Sequence, residues 1–174
     1  MGFLKVITGC MFSGKTTTLI NLIKKERNPL VINSILDTRP TSDSIMSHNN
    51  EKIDSLKVNK LCDVDITNYS HIFVDEAQFF EDLLEFVKKC MAFDKHLVIA
   101  GLDGDYKQNP FGQIVDCIPL ADEVHKLTSK CYVCGNTAPF TKRIVNSDQC
   151  ILVGAENIYK PSCRLHLNEW GTNC

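Results

Sequence analysis

The chain has 174 residues, of which 44% are hydrophobic and 23% charged, and its formal net charge is −2. This composition is ordinary for a soluble globular fold, and the length predicts one compact domain with room for a small appendage. The near-neutral charge gives no general attraction to nucleic acid or anionic membranes, and no apolar run approaches the ~20 residues that span a bilayer. We therefore expect a cytoplasmic protein that uses neither nucleic acid nor membrane as a partner.

Short apolar and β-branched runs predict buried strands at residues 3–8, 30–35, 71–74 and 96–102. A helical pattern follows the first strand, with Leu19, Leu22 and Ile23 on one face, and Asn28–Pro29 is expected to end it.

A second helical pattern covers residues 81–93 and follows the third strand. Its predicted apolar face consists of Leu83, Leu84, Val87, Cys90 and Met91. This alternation of strands and helices predicts an α/β fold with a parallel sheet.

The remaining segments are less regular. Residues 37–70 are polar and predict a long loop with one short strand or turn, and residues 104–112 predict a loop. Residues 115–127 predict a short strand or helix. From Cys131 onward, we expect turns and short strands in a small metal-stapled unit.

Residues 9–16 read GCMFSGKT and fit the phosphate-binding pattern G-x-x-x-x-G-K-[ST] in full, between a predicted strand and a predicted helix. The glycines let the backbone wrap around phosphate, and the helix N-terminus attracts the anion. Lys15 would reach the β- and γ-phosphates, and Thr16 would ligate Mg²⁺. The alternative is a strand–turn–helix that matches by chance, and the motif does not specify the reaction.

Asp75 and Glu76 directly follow the third predicted strand. Asp75 stands where a second Mg²⁺-associated carboxylate belongs in this fold class, although a solvated strand end is the alternative. Glu76 could direct water at a nucleoside triphosphate, as in a motor, or accept a proton from a substrate hydroxyl, as in a kinase. A helicase motor needs two ATPase lobes, so the length favours the kinase.

Two other classes of function stay open. One is a nucleic-acid-stimulated ATPase, and the other is a nucleotide-binding regulatory module without catalysis. The presence of Lys15, Asp75 and Glu76 together argues against the second.

Nine cysteines in the chain are a high and odd number, which argues against a secreted disulfide scaffold. The pairs Cys131-x-x-Cys134 and Cys163-x-x-His166 have the spacing of a tetrahedral zinc site. Redox use of the first pair is the alternative, but it leaves the second pair unexplained. A closed four-ligand site would fix the ends of the loop at residues 135–162 and leave no open position for catalytic water.

Further segments identify a family. They read DTR at residues 37–39, VDEAQFF at 74–80, GLDGDYKQNPFG at 101–112, FTKR at 140–143, ILVGAENIY at 151–159 and CRLH at 163–166. Together with the phosphate-binding loop and the segment PLADEVHKLTSKCYVC, the chain resembles the cytosolic-type thymidine kinases, which are single-lobe, zinc-containing deoxynucleoside kinases. The motifs run in family order from the first strand to His166.

The resemblance implies ATP-dependent phosphorylation of the thymidine 5′-hydroxyl, with Glu76 as the general base. We expect a P-loop NTPase-type (RecA-like) parallel sheet with helices on both faces over residues 1–128. A zinc-anchored domain with a substrate-binding lasso loop is expected over residues 129–170, and a disordered tail at 171–174. Family members are commonly homotetramers inhibited by thymidine triphosphate (dTTP), and deoxyuridine should be a weaker substrate.

Site residues are implied by matching positions. The implied ATP contacts are Gly9, Cys10, Met11, Phe12, Ser13, Gly14, Lys15, Thr16, Asp37, Thr38, Arg39, Asp75 and Gln78. The implied nucleoside contacts are Met11, Phe79, Leu102, Tyr106, Phe111, Thr141, Cys150, Ile151, Leu152, Val153, Gly154 and Tyr159. Thr16 and Asp75 would hold Mg²⁺, and Cys131, Cys134, Cys163 and His166 would hold Zn²⁺. For the apolar nucleoside contacts, packing in the core is the alternative.

Arg39 and Arg143 are candidates for stabilising phosphate charge, with surface or loop salt bridges as the alternative. Three positions depart from the family pattern. Cys10 stands where proline is common, Tyr106 stands where phenylalanine is common, and His166 stands where some members have cysteine. We expect little effect from Cys10, because only its backbone matters to phosphate.

Overall fold

The computed structural model describes residues 1–37, 44–46, 51–145 and 157–168. The β-strands of this part, numbered in chain order, are Phe3–Gly9 (β1), Leu30–Ser34 (β2), Ser44–Met46 (β3), Lys52–Asp54 (β4), Leu56–Val58 (β5), His71–Val74 (β6), His96–Gly101 (β7), Glu123–Leu127 (β8), Ser129–Lys130 (β9), Thr137–Ala138 (β10), Phe140–Arg143 (β11) and Tyr159–Ser162 (β12). The α-helices are Lys15–Ile23 (α1), Leu83–Ala92 (α2) and Arg164–Asn168 (α3), and 3₁₀ segments cover Ala77–Phe79 and Val115–Leu120.

Six strands form the central sheet in the order β5-β2-β6-β7-β1-β8. Every neighbouring pair in this sheet runs parallel, so the predicted parallel α/β sheet is confirmed. Three antiparallel pairs lie outside it, namely β3–β4, β9–β10 and β11–β12. In parallel α/β sheets, ligands bind beyond the carboxyl ends of the strands, which directs attention to the residues after β1, β6 and β7.

The alternation of side chains along each strand builds one core on each face of the sheet. On one face, Ile7 of β1 and Phe73 of β6 pack with the buried side of α1. On the other face, Val6 and Ile72 of the same two strands pack with the buried side of α2. Because both faces are covered by helices, the central strands β6 and β7 are apolar after their first residue, as in other parallel sheets.

The expected loop over residues 37–70 is wrong in part. This segment contains three short strands, and β5 is an edge strand of the central sheet, paired with β2. The sequence of β5 gives only a weak apolar pattern because an edge strand buries little side-chain surface, and even Leu56 is 47% exposed.

The predicted face of the second helix also needs correction. Leu83, Phe86, Val87 and Cys90 are buried, which is the spacing i, i+3, i+4, i+7 of one helix face. Leu84 and Met91 flank this face and are only partly buried. Phe86 was therefore missed, although it is one of the largest fully buried side chains.

Three further segments differ from the prediction. Residues 115–127 contain both a 3₁₀ helix and a strand, β8, rather than one of the two. The short helix α3 interrupts the turns and strands expected after Cys131. The first helix ends at Ile23, before the expected stop at Asn28–Pro29.

The scattered cysteines Cys90 and Cys117 are fully buried, and Cys62 is partly buried. Burial raises the pKa of the Cys90 and Cys117 thiols to about 12. Because the thiolate is the reactive form, we expect neither residue to react with iodoacetamide at pH 8 in the folded protein. Mass spectrometry after alkylation checks this, with urea-unfolded protein as the fully labelled control. Rapid labelling of either residue in the folded protein would contradict the buried placement.

Candidate functional site

The turn between β1 and α1 is shaped by two glycines with positive φ. Gly9 has φ 142°, and a Cβ there would lie 2.2 Å from the carbonyl oxygen of Leu127. Gly14 has φ 84° and immediately precedes α1, with open space where its side chain would be. Both conformations favour glycine, so the fixed glycines of the motif have a structural reason in this chain.

The side chains of this turn suit an anion. Lys15 is buried, and its Nζ donates a hydrogen bond to the carbonyl oxygen of Cys10 at 2.7 Å, across the turn. The Oγ of Ser13 is buried and has no hydrogen-bond partner within the described part of the chain. An orphaned hydroxyl, a lysine and a helix N-terminus lie together in one turn, so the residues fit a phosphate group.

The end of β6 lies beside this turn. The Thr16 hydroxyl donates to Asp75, with its Oγ1 3.0 Å from Oδ2 and 3.4 Å from Oδ1. The N–H of Asp75 donates to the carbonyl oxygen of Ile32 at 2.9 Å, which fixes the end of the strand against β2. A hydroxyl and a carboxylate held this closely are the oxygen ligands that Mg²⁺ prefers, so this pair fits the ion.

Glu76 diverges from Asp75 although the two are neighbours in sequence. Its backbone is left-handed, with φ 51° and ψ 41°, which turns the chain into the 3₁₀ segment Ala77–Phe79. Its carboxylate accepts a hydrogen bond from Nε2 of Gln78, with 2.6 Å between that nitrogen and Oε2. A positive φ is uncommon for a residue other than glycine, so the backbone here is held in a costly conformation.

Two phenylalanines expected at the nucleoside contact each other. The rings of Phe79 and Phe111 pack edge to face, with centroids 5.7 Å apart. Phe80, the next residue after Phe79, is instead buried in the main core. The two adjacent phenylalanines, Phe79 and Phe80, therefore have different surroundings.

Two nucleoside candidates, Tyr106 and Tyr159, contact Arg143. The Arg143 guanidinium lies over the ring of Tyr106, 3.6 Å from the centroid, and donates to the Tyr159 hydroxyl at 2.9 Å. Stacking of arginine on tyrosine is a cation–π contact. The structure therefore places Arg143 among the nucleoside candidates.

The remaining candidates are distributed as follows. Asp37 is buried, and its carboxylate accepts from the Asn33 amide at 3.0 Å. The N–H of Leu102 donates to the side-chain oxygen of Gln78 at 3.0 Å. Seven predicted contacts lie outside the described residues and stay predictions, as does the tail at 171–174: Thr38, Arg39, Cys150, Ile151, Leu152, Val153 and Gly154.

The predicted zinc ligands converge. The ligand atoms of Cys131, Cys134, Cys163 and His166 all lie within 4.8 Å of one another. Tight turns create this arrangement, because the Gly135 N–H donates to the carbonyl oxygen of Cys131 at 2.8 Å and Gly135 has φ 73°. Three thiols and one imidazole at this separation suit tetrahedral zinc.

The backbone favours the thiolate form at two of the three cysteines. The pKa of Cys134 is instead raised, because desolvation and the neighbouring thiols of Cys131 and Cys163 outweigh its hydrogen bond from a backbone N–H. Burial opposes ionisation of Cys131, but N–H groups of Cys163, Cys134 and Val133 outweigh it and lower the pKa of this thiol to about 5. The backbone N–H of His166 lowers the pKa of Cys163. Since zinc binds the deprotonated form, the backbone prepares these two ligands for the metal.

Two hydrogen bonds join this cluster's part of the chain to the phosphate-binding turn, and a third connects β11 with α3 beside the cluster. The Cys10 thiol donates to the carbonyl oxygen of Ala138 at 3.1 Å, and the Met11 N–H donates to the Thr141 hydroxyl at 2.9 Å. The Lys142 ammonium donates to the carbonyl oxygen of His166 at 2.6 Å. The thiol of Cys10 thus makes a contact that proline could not make, whereas only its backbone was expected to matter.

Comparison with known proteins agrees with this geometry. The profile of the family described as thymidine kinase matches residues 2–167. The chain belongs to the thymidine kinase family.

Relatives in this family span plants and viruses. The chain is 41% identical to a thymidine kinase of Oryza sativa subsp. japonica over 95% of its own length and 66% of the relative's. It is 40% identical to thymidine kinase a of Arabidopsis thaliana, over 95% of this chain and 74% of the relative. It is 36% identical to the thymidine kinase of Yaba monkey tumor virus (strain VR587), over 94% of this chain and 93% of the relative.

Within the described residues, every helix is too short or too polar to span a bilayer.

Several residues that shape the site were not predicted from the sequence. Gly101 lies against the side chain of Gln78, and Gly112 lies against the backbone of Gln78. Lys142 donates to the backbone carbonyl of His166, so each of the three has a partner far away in the chain. No local motif marks such contacts, although Gly101, Gly112 and Lys142 stand inside the segments that carry the family resemblance.

Thr141→Val tests the link between the two parts of the site. Valine keeps the shape of threonine but cannot accept the hydrogen bond from the Met11 N–H. We expect the free energy of unfolding in urea to fall by about 1–3 kcal/mol, because a partly buried N–H loses its partner. Thr141→Ser keeps the hydroxyl and should be the less destabilised variant. If serine were worse than valine, packing of the methyl group would outweigh the hydrogen bond.

Proposed function

We propose that this chain transfers the γ-phosphoryl group of ATP to the 5′-hydroxyl of thymidine, giving thymidine monophosphate for nucleotide salvage. The observation that carries the proposal is the divergence of two adjacent carboxylates at the end of β6. Asp75 meets Thr16 of the phosphate-binding turn, while the left-handed backbone of Glu76 turns its carboxylate toward Gln78. This arrangement suits the Asp75 carboxylate to metal and phosphate and the Glu76 carboxylate to an acceptor hydroxyl.

The phosphate donor would bind the turn at residues 9–16. Support comes from the glycine conformations at Gly9 and Gly14, the orphaned Ser13 hydroxyl and the buried Lys15. Further ATP contacts are proposed at Asp37, Thr38, Arg39 and Asp75; the family resemblance also implies Gln78, although its side-chain nitrogen donates to Glu76.

Magnesium would be held by Thr16 and Asp75, which share a hydrogen bond at 3.0 Å. When bound, the ion neutralises charge on the phosphate oxygens. The Lys15 ammonium adds a second positive charge on the protein side of the same turn.

Glu76 would accept the proton of the 5′-hydroxyl as the phosphoryl group is transferred. The carboxylate is buried and hydrogen-bonded, so its direction is set before the nucleoside binds. A positioned general base of this kind contributes roughly 10²- to 10⁴-fold to a rate.

Thymidine would be enclosed by aromatic and small side chains together with the lasso loop. The proposed contacts are Met11, Phe79, Leu102, Tyr106, Phe111, Thr141, Tyr159 and residues 150–154. The edge-to-face pair Phe79–Phe111 and the stacking of Arg143 on Tyr106 support an aromatic pocket. Backbone groups can read the donor and acceptors of the thymine ring.

The ion at Cys131, Cys134, Cys163 and His166 would be structural zinc. A closed set of four protein ligands leaves no position for a reacting water. We further propose, from the family resemblance, the domain division at residue 128, a homotetramer, feedback inhibition by dTTP and a cytoplasmic location.

A transfer assay with γ-labelled ATP across the natural deoxynucleosides and deoxyuridine tests this function. We expect thymidine to give the highest kcat/KM. Deoxyuridine should fall about 10- to 200-fold below it, because a pocket gains only about 1–3 kcal/mol from one methyl group. Preferential labelling of a purine nucleoside or deoxycytidine would overturn the thymidine assignment.

A further inference from the structure

The side chain of Gln78 is enclosed at the end of the central sheet and is only 3% exposed. Its Nε2 donates to Oε2 of Glu76 at 2.6 Å, and its Oε1 accepts from the N–H of Leu102 at 3.0 Å. Glu76 follows β6 and Leu102 follows β7, so one carboxamide spans the ends of two neighbouring strands.

The orientation of this carboxamide is determined by its two partners. A carboxylate can only accept hydrogen bonds, and a backbone N–H can only donate one. The nitrogen of the amide must therefore face Glu76 and the oxygen must face Leu102. A rotated amide would lose both contacts, which gives the arrangement a single satisfied state.

Two glycines provide the space for Gln78. A Cβ at Gly101 would lie 2.5 Å from Oε1 of Gln78, and one at Gly112 would lie 2.2 Å from its backbone carbonyl oxygen. Real Cβ contacts are not this short, so an alanine at either position would displace Gln78. Gly101 thus leaves room for the carboxamide of Gln78, and Gly112 leaves room for its main-chain carbonyl group.

We propose that Gln78 is a positioning residue for the general base. Its hydrogen bond fixes the plane of the Glu76 carboxylate. Its second hydrogen bond, from the Leu102 N–H, anchors the carboxamide to the end of β7. The inference rests on the proposed role of Glu76. It assigns the glutamine side chain to the base rather than to ATP.

The predicted consequence is a loss of kcat without a loss of binding. Gln78→Met keeps the length of the side chain but removes both hydrogen bonds. We expect kcat to fall roughly 10- to 100-fold, since a misplaced catalytic group costs about that much, while KM for ATP and for thymidine stays nearly unchanged. Steady-state kinetics with each substrate varied in turn measure both quantities.

Gln113→Met is the matched control. The side-chain oxygen of Gln113 also accepts a backbone hydrogen bond in a partly buried place, from the Leu84 N–H at 2.9 Å. The same substitution there removes a contact of the same kind away from Glu76. We expect wild-type kcat for this variant, and a fall equal to that of Gln78→Met would overturn the proposal, because the effect would then be one of general stability.

The double variant with Glu76→Gln separates this inference from the proposed function. If Gln78 acts through the base, Gln78→Met should lower kcat no further once Glu76 is replaced. Near-normal turnover of Glu76→Gln alone would remove the base role itself. Suppose instead that Glu76→Gln loses turnover. In that case, wild-type kcat in Gln78→Met would overturn only the positioning role, and so would a raised KM for ATP with no change in kcat.

Gly101→Ala is a second route to the same result, because it displaces the carboxamide oxygen while Gln78 itself is intact. A fall in kcat like that of Gln78→Met supports the proposal even if the methionine variant folds poorly. Wild-type kcat in a folded Gly101→Ala protein would contradict it.

Discussion

Replacing Glu76 by glutamine is expected to lower kcat for thymidine phosphorylation by roughly 10²- to 10⁴-fold, the usual contribution of a general base. The amide has nearly the shape of the carboxylate, and its oxygen can still accept the hydrogen bond from Gln78. The backbone at this position should therefore stay in place. ATP contacts the phosphate-binding turn in our proposal, so its affinity should be close to that of the unchanged protein.

Single-turnover transfer at saturating substrate gives the chemical step, and calorimetry gives the affinity for ATP. Glu81→Gln is a suitable control, because Glu81 is exposed and lies five positions further along the chain. Near-normal transfer by Glu76→Gln would exclude this carboxylate as the base. A parallel loss of ATP affinity would instead indicate a role in binding.

Removal of zinc is expected to have the second large effect. Binding of structural zinc is worth about 10–16 kcal/mol in small peptide sites at neutral pH, so its loss should release the chain around the four ligands. The Lys142–His166 contact would then no longer hold β11, which contributes Thr141 to the contact with Met11. We therefore expect both thymidine phosphorylation and the protection of β11 and β12 amides from hydrogen exchange to fall sharply.

Cys163→Ser is the corresponding variant, and it should contain well below the one zinc per chain expected for the unchanged protein. Cys62→Ser is its control, because Cys62 lies apart from the cluster, packed against the main core. Elemental analysis of reduced protein measures the zinc content. Full zinc content in Cys163→Ser, or unchanged activity after chelation, would contradict the structural role.

The sequence predicted the features that depend on local pattern. The buried strands of the parallel sheet are mostly apolar, and the Cys/His cluster is built from two pairs with a fixed spacing, so both could be predicted from short stretches of sequence. The edge strand β5 was missed because none of its three residues is fully buried, and its pairing with β2 depends on chain that is distant in sequence. Periodicity cannot detect such pairing.

The same distinction applies within the site. The sequence indicated that Asp75 and Glu76 have separate roles, because they end a strand near a phosphate-binding turn. It could not show that φ 51° at Glu76 creates the divergence, nor that Gly101 and Gly112 enclose Gln78. Those relations depend on how the ends of β6 and β7 and the following loop are packed together.

The most direct test of the kinase assignment is ATP turnover by the purified protein with thymidine or with single-stranded DNA. We predict turnover that requires thymidine and yields one labelled thymidine monophosphate for each ATP consumed. Single-stranded DNA should cause no increase. Stimulation by DNA with release of free phosphate, and no labelled nucleotide from thymidine, would contradict the account.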